Sequence, residues 1–206
     1  MNCSLKHKSS ILVAGPSMSG KTVFVENLIK WRQEMFDVSP RKIHWFSGSN
    51  YETKDKDISI YEGVPENFDM IEPHDMVVID DLMFEAKRSN AVSNLFTRMV
   101  HHTPCTVIFI TQNLFQDGKE TRTRSLNTQY IVLFKNPRDA SQITTLSRQM
   151  YPGKSNFLIN AYKDATDKKP FGYLFLDLHQ ETTPNLRVRS RILPFEEPHI
   201  VYLMKV

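Results

Sequence analysis

The chain has 206 residues, of which 40% are hydrophobic and 24% are charged, and its formal net charge is +3. These values are typical of a soluble globular protein, and the length suits a single domain over residues 1–206. No apolar run approaches the roughly 18 residues of a membrane span. The two cysteines, Cys3 and Cys105, argue against a disulfide framework. The mild positive charge permits contact with nucleic acid without requiring it.

The first informative stretch is a loop of the form GxxxxGKT at residues 15–22, between an apolar run (11–14) and a helical pattern. In this context the motif predicts a phosphate-binding loop, because glycines let the backbone curl and amides at a helix N-terminus face the anion. Lys21 is the candidate partner of the β- and γ-phosphates, and Thr22 is the candidate Mg²⁺ ligand. The predicted nucleotide site contains every residue of the loop: Gly15, Pro16, Ser17, Met18, Ser19, Gly20, Lys21 and Thr22.

The next elements follow from hydrophobic spacing. A helix with one apolar face is predicted by residues that recur at steps of four, three and four: Phe24, Leu28, Trp31 and Met35. Ser39-Pro40 ends this helix, and residues 42–46 predict a second strand. The polar stretch 48–65 is interpreted as a surface excursion with a short strand at 58–61.

Two carboxylates end the next apolar run. Residues 76–79 predict a buried parallel strand, and Asp80 and Asp81 follow at its carboxyl end, where open α/β sheets bind ligands. Asp80 is the candidate Mg²⁺ acid and Asp81 the candidate base that orients the attacking water, with Glu85 as the alternative base. The two acids could instead cap a following helix. Their position after a phosphate-binding loop favours the catalytic interpretation.

A third strand, at residues 107–110, also ends in polar side chains. Gln112 is the candidate to place a water against the γ-phosphate, although residues 111–113 could simply satisfy loop backbone groups. The three polar strand ends favour a sheet in which this strand lies between the phosphate-loop strand and the Asp80 strand.

The remaining elements are read in the same way. A polar link contains Arg122 and Arg124, and Asn136-Pro137 has the form of a helix start. Further elements are predicted as a strand at 130–134, a helix that breaks at 151–153, a helix at 156–165, a strand at 171–178 and an edge strand with a basic outer face at 187–191. The alternation predicts an α/β protein, with a mainly parallel sheet flanked by helices and a small C-terminal β extension.

Several stretches together resemble a known family. They occur in the order GPSMSGKT, VVIDDLM, HH before TPC, IFITQNLF, RTRSLN, YIVLFKNPRD, RQMYPG, AYKDAT and FGYLFLDL. The chain resembles the genome-packaging ATPases of Polinton and adintovirus-like DNA elements. These are similar to the poxvirus packaging ATPases and belong to the FtsK–HerA branch of P-loop (ASCE/RecA-like) NTPases. The resemblance covers residues 11–178, and QNLF and KNPRD are its most specific parts.

The resemblance implies a motor that uses ATP and Mg²⁺ to move double-stranded DNA into a preformed capsid. It implies a homo-oligomeric ring, a pentamer or hexamer, with capsid portal or vertex proteins as partners. The implied location is intracellular in the infected host, in the nucleus or viral factory, or in the virion.

The family's site residues map onto this chain by resemblance. Lys21 and Thr22 match the phosphate-loop lysine and the Mg²⁺ ligand, Asp80 the Mg²⁺ acid and Gln112 the polar sensor. Many relatives carry Glu where this chain has Asp81, so Asp81 and Glu85 both remain candidates for the base. Because they follow the sensor strand, the candidates for the arginine finger are Arg122 and Arg124.

Two other functions compete with the motor. One is a different P-loop enzyme, such as a helicase-like DNA-dependent ATPase or a small-molecule kinase. The other is a non-enzymatic virion protein, which would predict a broken phosphate loop or no Asp80, and the sequence has both features intact. Candidate DNA contacts are residues 187–191 and the polar segment 48–56.

Overall fold

One sheet runs through the part of the chain that the structure, a computed structural model, describes: residues 4–48, 51–53, 55–82, 104–115 and 128–204. Its strands are β1 (Ser10–Ala14), β2 (Ile43–Ser47), β3 (Ile58–Glu62), β4 (Met76–Asp80), β5 (Thr106–Thr111), β6 (Tyr130–Phe134), β7 (Tyr173–Asp177), β8 (Val188–Ser190) and β9 (Ile200–Val201). The α-helices described are α1 (Lys21–Lys30), α2 (Arg32–Met35), α3 (Ser141–Met150) and α4 (Asn156–Asp167). None of these helices is long and apolar enough to cross a membrane.

The strand order is β3-β2-β4-β5-β1-β6-β7-β8-β9. Strands β3 to β6 in this order pair in parallel. The prediction that the Gln112 strand lies between the phosphate-loop strand and the Asp80 strand is confirmed, because β5 pairs with β1 on one side and β4 on the other. The carboxyl ends of β4, β5, β1 and β6 therefore meet at one edge of the sheet.

Both faces of the sheet are buried at its central strands, as the continuous apolar runs predict, whereas the edge strand β3 is largely exposed. On one face, Ile11 and Val13 of β1 pack with the apolar side of α1, including Phe24 and Leu28. On the other, Leu12 and Ala14 pack with residues of α3 and α4, among them Ile143, Leu146, Leu158 and Ala161. The predicted α/β class with a mainly parallel sheet is confirmed.

The first helix is interrupted where the sequence predicts continuity. It ends at Lys30, and a short second helix begins at Arg32 after the turn at Trp31. The Trp31 ring is half-buried beside the core and lies 6.3 Å from the Phe195 ring. The polar stretch that follows does contain the predicted strand, and β3 extends the sheet by pairing with β2.

The predicted helix start at Asn136-Pro137 is wrong, since α3 begins at Ser141. Asn136 instead closes a turn, because its Oδ1 accepts the backbone N–H of Arg138 at 3.2 Å. The Ser141 N–H donates to Asp139 Oδ1 at 3.1 Å. The Asn-Pro pair therefore forms a turn ahead of the helix, as Asx side chains commonly do.

The antiparallel strands β7, β8 and β9 form the predicted C-terminal extension. The register pairs Tyr173, the first residue of β7, with Phe134, the last residue of β6. Because β7 runs against β6, the chain entering β7 lies at the same edge as the phosphate loop. This edge therefore also includes the connection between α4 and β7.

The predicted basic outer face at residues 187–191 is wrong. Strand β8 is not an edge, since β9 pairs with its outer side, and Arg189 is buried. Its guanidinium donates to Asp177 Oδ2 at 2.7 Å and lies 4.9 Å from the centre of the Phe175 ring. Arg189 therefore forms a buried structural ion pair with Asp177, and its guanidinium is not available to contact DNA.

Removing one partner of this buried pair should be strongly destabilising. We expect Arg189→Ala to lower the free energy of unfolding by about 3–5 kcal/mol, because Asp177 would keep a buried, uncompensated charge. Denaturant unfolding measures the loss. The matched control is Lys42→Ala, which breaks an exposed 3.8 Å pair with Glu72 and should cost less than about 1 kcal/mol. Equal losses in the two variants would contradict the prediction.

Candidate functional site

The loop between β1 and α1 leaves no room for a side chain at its first position. The Gly15 N–H donates to Thr111 O at 3.2 Å, which ties the loop to β5. A Cβ at Gly15 would lie 2.7 Å from Phe134 Cβ and 2.8 Å from Ser19 Oγ. Contacts this short are not tolerated by real Cβ atoms, so only glycine fits where the chain leaves the sheet.

The rest of the loop curls through left-handed backbone. Met18 has φ 62° and Gly20 has φ 99°, immediately before α1 begins at Lys21. Ser19 Oγ is buried and has no hydrogen-bond partner among the described residues. Buried hydroxyls are normally paired, so an orphaned one inside a glycine-rich loop fits a group that binds a ligand oxygen. The loop therefore has the curled backbone that the motif predicts.

The side chain of Lys21 reaches back across this loop. Its Nζ donates to Pro16 O at 2.9 Å, so the proline that lacks an N–H contributes its carbonyl to the loop. Partial burial lowers the pKa of Lys21, and the charges of Asp80 and Asp81 oppose that shift. The ammonium group is thus held between the loop and the acids at the end of β4.

Among the described acids at this edge of the sheet, Asp80 has the most strongly shifted pKa. Burial raises its pKa from 3.8 to about 6, and Asp81 and Glu26 add to the shift while Lys21 opposes it. A partly buried carboxylate whose pKa is shifted by burial and by charged neighbours is typical of a functional site. The side chains that the motifs single out, on different elements, therefore share one electrostatic environment.

Asp81 and Gln112 contact each other directly. Gln112 Nε2 donates to Asp81 Oδ1 at 3.2 Å, and both side chains are exposed. Asp81 has φ 53°, a left-handed conformation that Asp tolerates better than most residues. Adjacent strands create the contact, since Asp80 pairs with Ile110 in the sheet register. A water between these two groups and a γ-phosphate would meet one acceptor and one amide.

The alternative interpretation of residues 111–113, that they satisfy backbone groups of their loop, holds for Thr111. Thr111 Oγ1 donates to Asn113 O at 3.0 Å and accepts the Asn113 N–H at 3.3 Å, so the Thr111 side chain satisfies backbone groups of the loop. Gln142 supports the same loop, because its Oε1 accepts the Leu114 N–H at 2.6 Å and its amide donates to Asn113 Oδ1 at 3.2 Å. Sequence reasoning missed Gln142.

Glu26 is a second residue that sequence reasoning missed. It lies on α1, four residues after Thr22, and accepts a hydrogen bond from the Tyr51 hydroxyl at 3.0 Å. The Tyr51 ring in turn stacks on Trp45, with ring centres 4.2 Å apart. The i,i+4 spacing from Thr22 is the pattern that could have indicated Glu26.

The remaining predicted residues fall into two groups. Thr22 lies on the first turn of α1, half-buried. Its hydroxyl and the Asp80 carboxylate are oxygen donors, which are the ligands that Mg²⁺ prefers, so the donor set fits that ion. Glu85, Arg122 and Arg124 lie outside the described residues, and their roles stay predictions.

The raised pKa of Asp80 predicts how the free energy of unfolding depends on pH. Between pH 3.8 and about 6 the folded protein binds more protons at Asp80 than the unfolded chain, so stability falls as pH rises through this window. Because Asp80 is partly exposed, its ionisation should cost the folded state about 1–2 kcal/mol. We therefore expect Asp80→Asn to raise the free energy of unfolding by about that amount near pH 8, and by little near pH 4.

Denaturant unfolding of both proteins at the two pH values measures this difference. Asp69→Asn, at an exposed loop position, controls for the loss of a negative charge. A gain that is the same at both pH values, or that the control shares, would contradict the assigned cause.

The described fold is similar to a solved viral protein. The genome packaging NTPase B204 from Sulfolobus turreted icosahedral virus 2, solved in complex with ATP-gammaS, superposes with a TM-score of 0.54 at 14% sequence identity. The similarity covers 89% of this chain and 96% of that protein. No protein-family model matches the sequence, and no curated protein matches it at a significant level. The likeness therefore supports the fold alone, an α/β fold with a mainly parallel sheet flanked by helices.

Proposed function

We propose that this chain hydrolyses ATP with Mg²⁺ as the subunit of a motor that moves double-stranded viral DNA into a preformed capsid. The observation that carries the proposal is the gathering of Lys21, Asp80, Asp81 and Gln112 beside a glycine-rich loop at one sheet edge. The fold similarity to a viral genome packaging NTPase supports the packaging role.

The chain's own groups divide the work of hydrolysis. The loop amides and Lys21 bind the phosphates, and the Lys21 charge offsets negative charge on the β- and γ-phosphates. Thr22 and Asp80 would hold Mg²⁺, which would supply positive charge to offset the negative charge that develops during phosphoryl transfer. Asp81 accepts a proton from the attacking water, and Gln112 orients that water while its amide also holds the Asp81 carboxylate.

The partners follow from the same proposal. Subunits form a ring, a pentamer or hexamer, in which Arg122 or Arg124 of one subunit reaches the γ-phosphate bound by its neighbour. The ring engages a capsid portal or vertex protein in the infected cell. Since a motor must track any sequence, it grips the DNA phosphate backbone, and its binding should weaken with salt.

The proposal is tested by ATP hydrolysis with and without double-stranded DNA, and by sizing with a slowly hydrolysed ATP analogue. We expect DNA to stimulate turnover, the analogue to favour a ring, and Lys21→Ala to abolish turnover. Lys30→Ala is the matched control, because it removes the same charge from the other end of α1. If DNA does not change the rate of ATP turnover and a small-molecule acceptor is required, the result would favour a kinase. ATP turnover without assembly of a ring would favour another P-loop ATPase.

The identity of the base is tested separately. We expect Asp81→Asn to retain nucleotide binding and to slow hydrolysis by at least about 100-fold, because the variant lacks the proton acceptor. Asn also tolerates the left-handed backbone at this position, so the loop should keep its shape. Single-turnover hydrolysis and calorimetric binding separate the two effects. Loss of turnover in Glu85→Gln but not in Asp81→Asn would assign the base to Glu85.

A further inference from the structure

A second opening lies beside the phosphate loop and is not used by the chemistry described above. It has a volume of about 500 Å³. Its walls come from the phosphate loop (16–19), from Lys135 after β6, from the end of α4 (166–167) and from the connection between α4 and β7 (168–172). None of the acids at the end of β4 and no part of β5 lines it.

The strand order places this opening on the opposite side of the loop from the reacting groups. Strand β1 lies between β5 and β6, so the Asp81–Gln112 pair lies on the β5 side and Lys135 on the β6 side. A triphosphate whose γ-phosphate faces Asp81 and Gln112 must leave the loop in the other direction. Its ribose and base are therefore directed towards the opening.

Phe171 is the most distinctive residue of this opening. Its side chain is 68% exposed, although large aromatic rings are usually buried. Its backbone has φ 59°, a left-handed conformation that costs energy for a bulky residue. The ring is packed on the phosphate loop, since a Cβ at Gly20 would lie 3.1 Å from Phe171 Cδ1.

The turn that presents Phe171 is tightly built. A Cβ at Gly172 would lie 2.3 Å from the carbonyl oxygen of Ala165, so only glycine fits there. The Gly172 N–H donates to Lys169 O at 3.1 Å and closes the turn. An exposed ring on a strained, closed turn is a preformed apolar surface, and it costs little further entropy when a planar group stacks on it.

The charged side chains around the opening are mostly paired with each other. Lys135 pairs with Asp167 at 2.9 Å, and Lys168 pairs with Asp164. Lys169 lies in the same wall. Because carboxylates offset Lys135 and Lys168, these walls carry little net charge, which suits a base and a ribose. Phe171 supplies the one aromatic ring among the described residues that line the opening.

We propose that Phe171 is the stacking platform for the base of the bound nucleoside triphosphate, and that this opening is the base and ribose subsite. The inference rests on the proposed nucleotide-binding function. Recognition through a ring face depends on stacking area, so the site takes purine nucleotides in preference to pyrimidine nucleotides. Truncating the platform should reduce binding of the base without changing how the loop holds phosphate.

The experiment measures Mg²⁺-dependent binding of ADP, UDP and inorganic pyrophosphate by calorimetry, so that no probe is consumed. We expect Phe171→Ala to weaken ADP binding about tenfold, which is within the range found when an aromatic side chain that stacks on a base is replaced by alanine. The variant should weaken UDP binding less. Pyrophosphate binding should not change. Phe171→Trp should keep the preference for ADP over UDP, because it restores a ring.

A matched control comes from Phe195→Ala, which removes another exposed aromatic ring remote from the loop and should leave all three affinities unchanged. Unchanged ADP binding in Phe171→Ala would overturn the inference about Phe171 and would leave the proposed function standing. Equal losses of ADP and pyrophosphate would also overturn it, because Phe171 would then only support the shape of the loop at Gly20. If the wild-type protein bound none of the three probes, the proposed function itself would fail.

Discussion

The balance of charge between Lys21 and Asp80 is the constraint on which the site depends. Burial disfavours the charged form of each group, lowering the pKa of Lys21 and raising that of Asp80, and each group's charge opposes the other's shift. The balance holds only if α1 and the end of β4 keep their relative positions. Parallel pairing through β5 fixes those positions, so the sheet order is itself part of the electrostatics.

The same order divides the carboxyl edge into two sides. On one side of β1, the polar ends of β4 and β5 bring Asp81 and Gln112 into contact. On the other side, β6 and the chain entering β7 form an opening next to the loop. One loop can therefore hold a phosphate chain with its reacting end and its base in separate surroundings.

The C-terminal strands contribute more than an extension of the sheet. Their antiparallel direction brings the turn with Phe171 to the loop, and the buried Asp177–Arg189 pair anchors β8 against β7. The basic pattern at 187–191 suggested an outer face because spacing alone does not tell which side of a strand another strand will cover. The partner strand β9, which decides this, is only two residues long.

The sequence by itself determined the phosphate loop, the buried strands and the positions of Lys21, Asp80 and Gln112, because these depend on local backbone demands and on continuous apolar runs. Only the tertiary structure decided which distant residues join them. Phe171 packs against Gly20 from the connection between α4 and β7, and Gln142 of α3 holds the loop that follows β5. These two contacts join segments far apart in the chain, so no local pattern encodes them, whereas Glu26 follows Thr22 at a helical spacing that the sequence does contain.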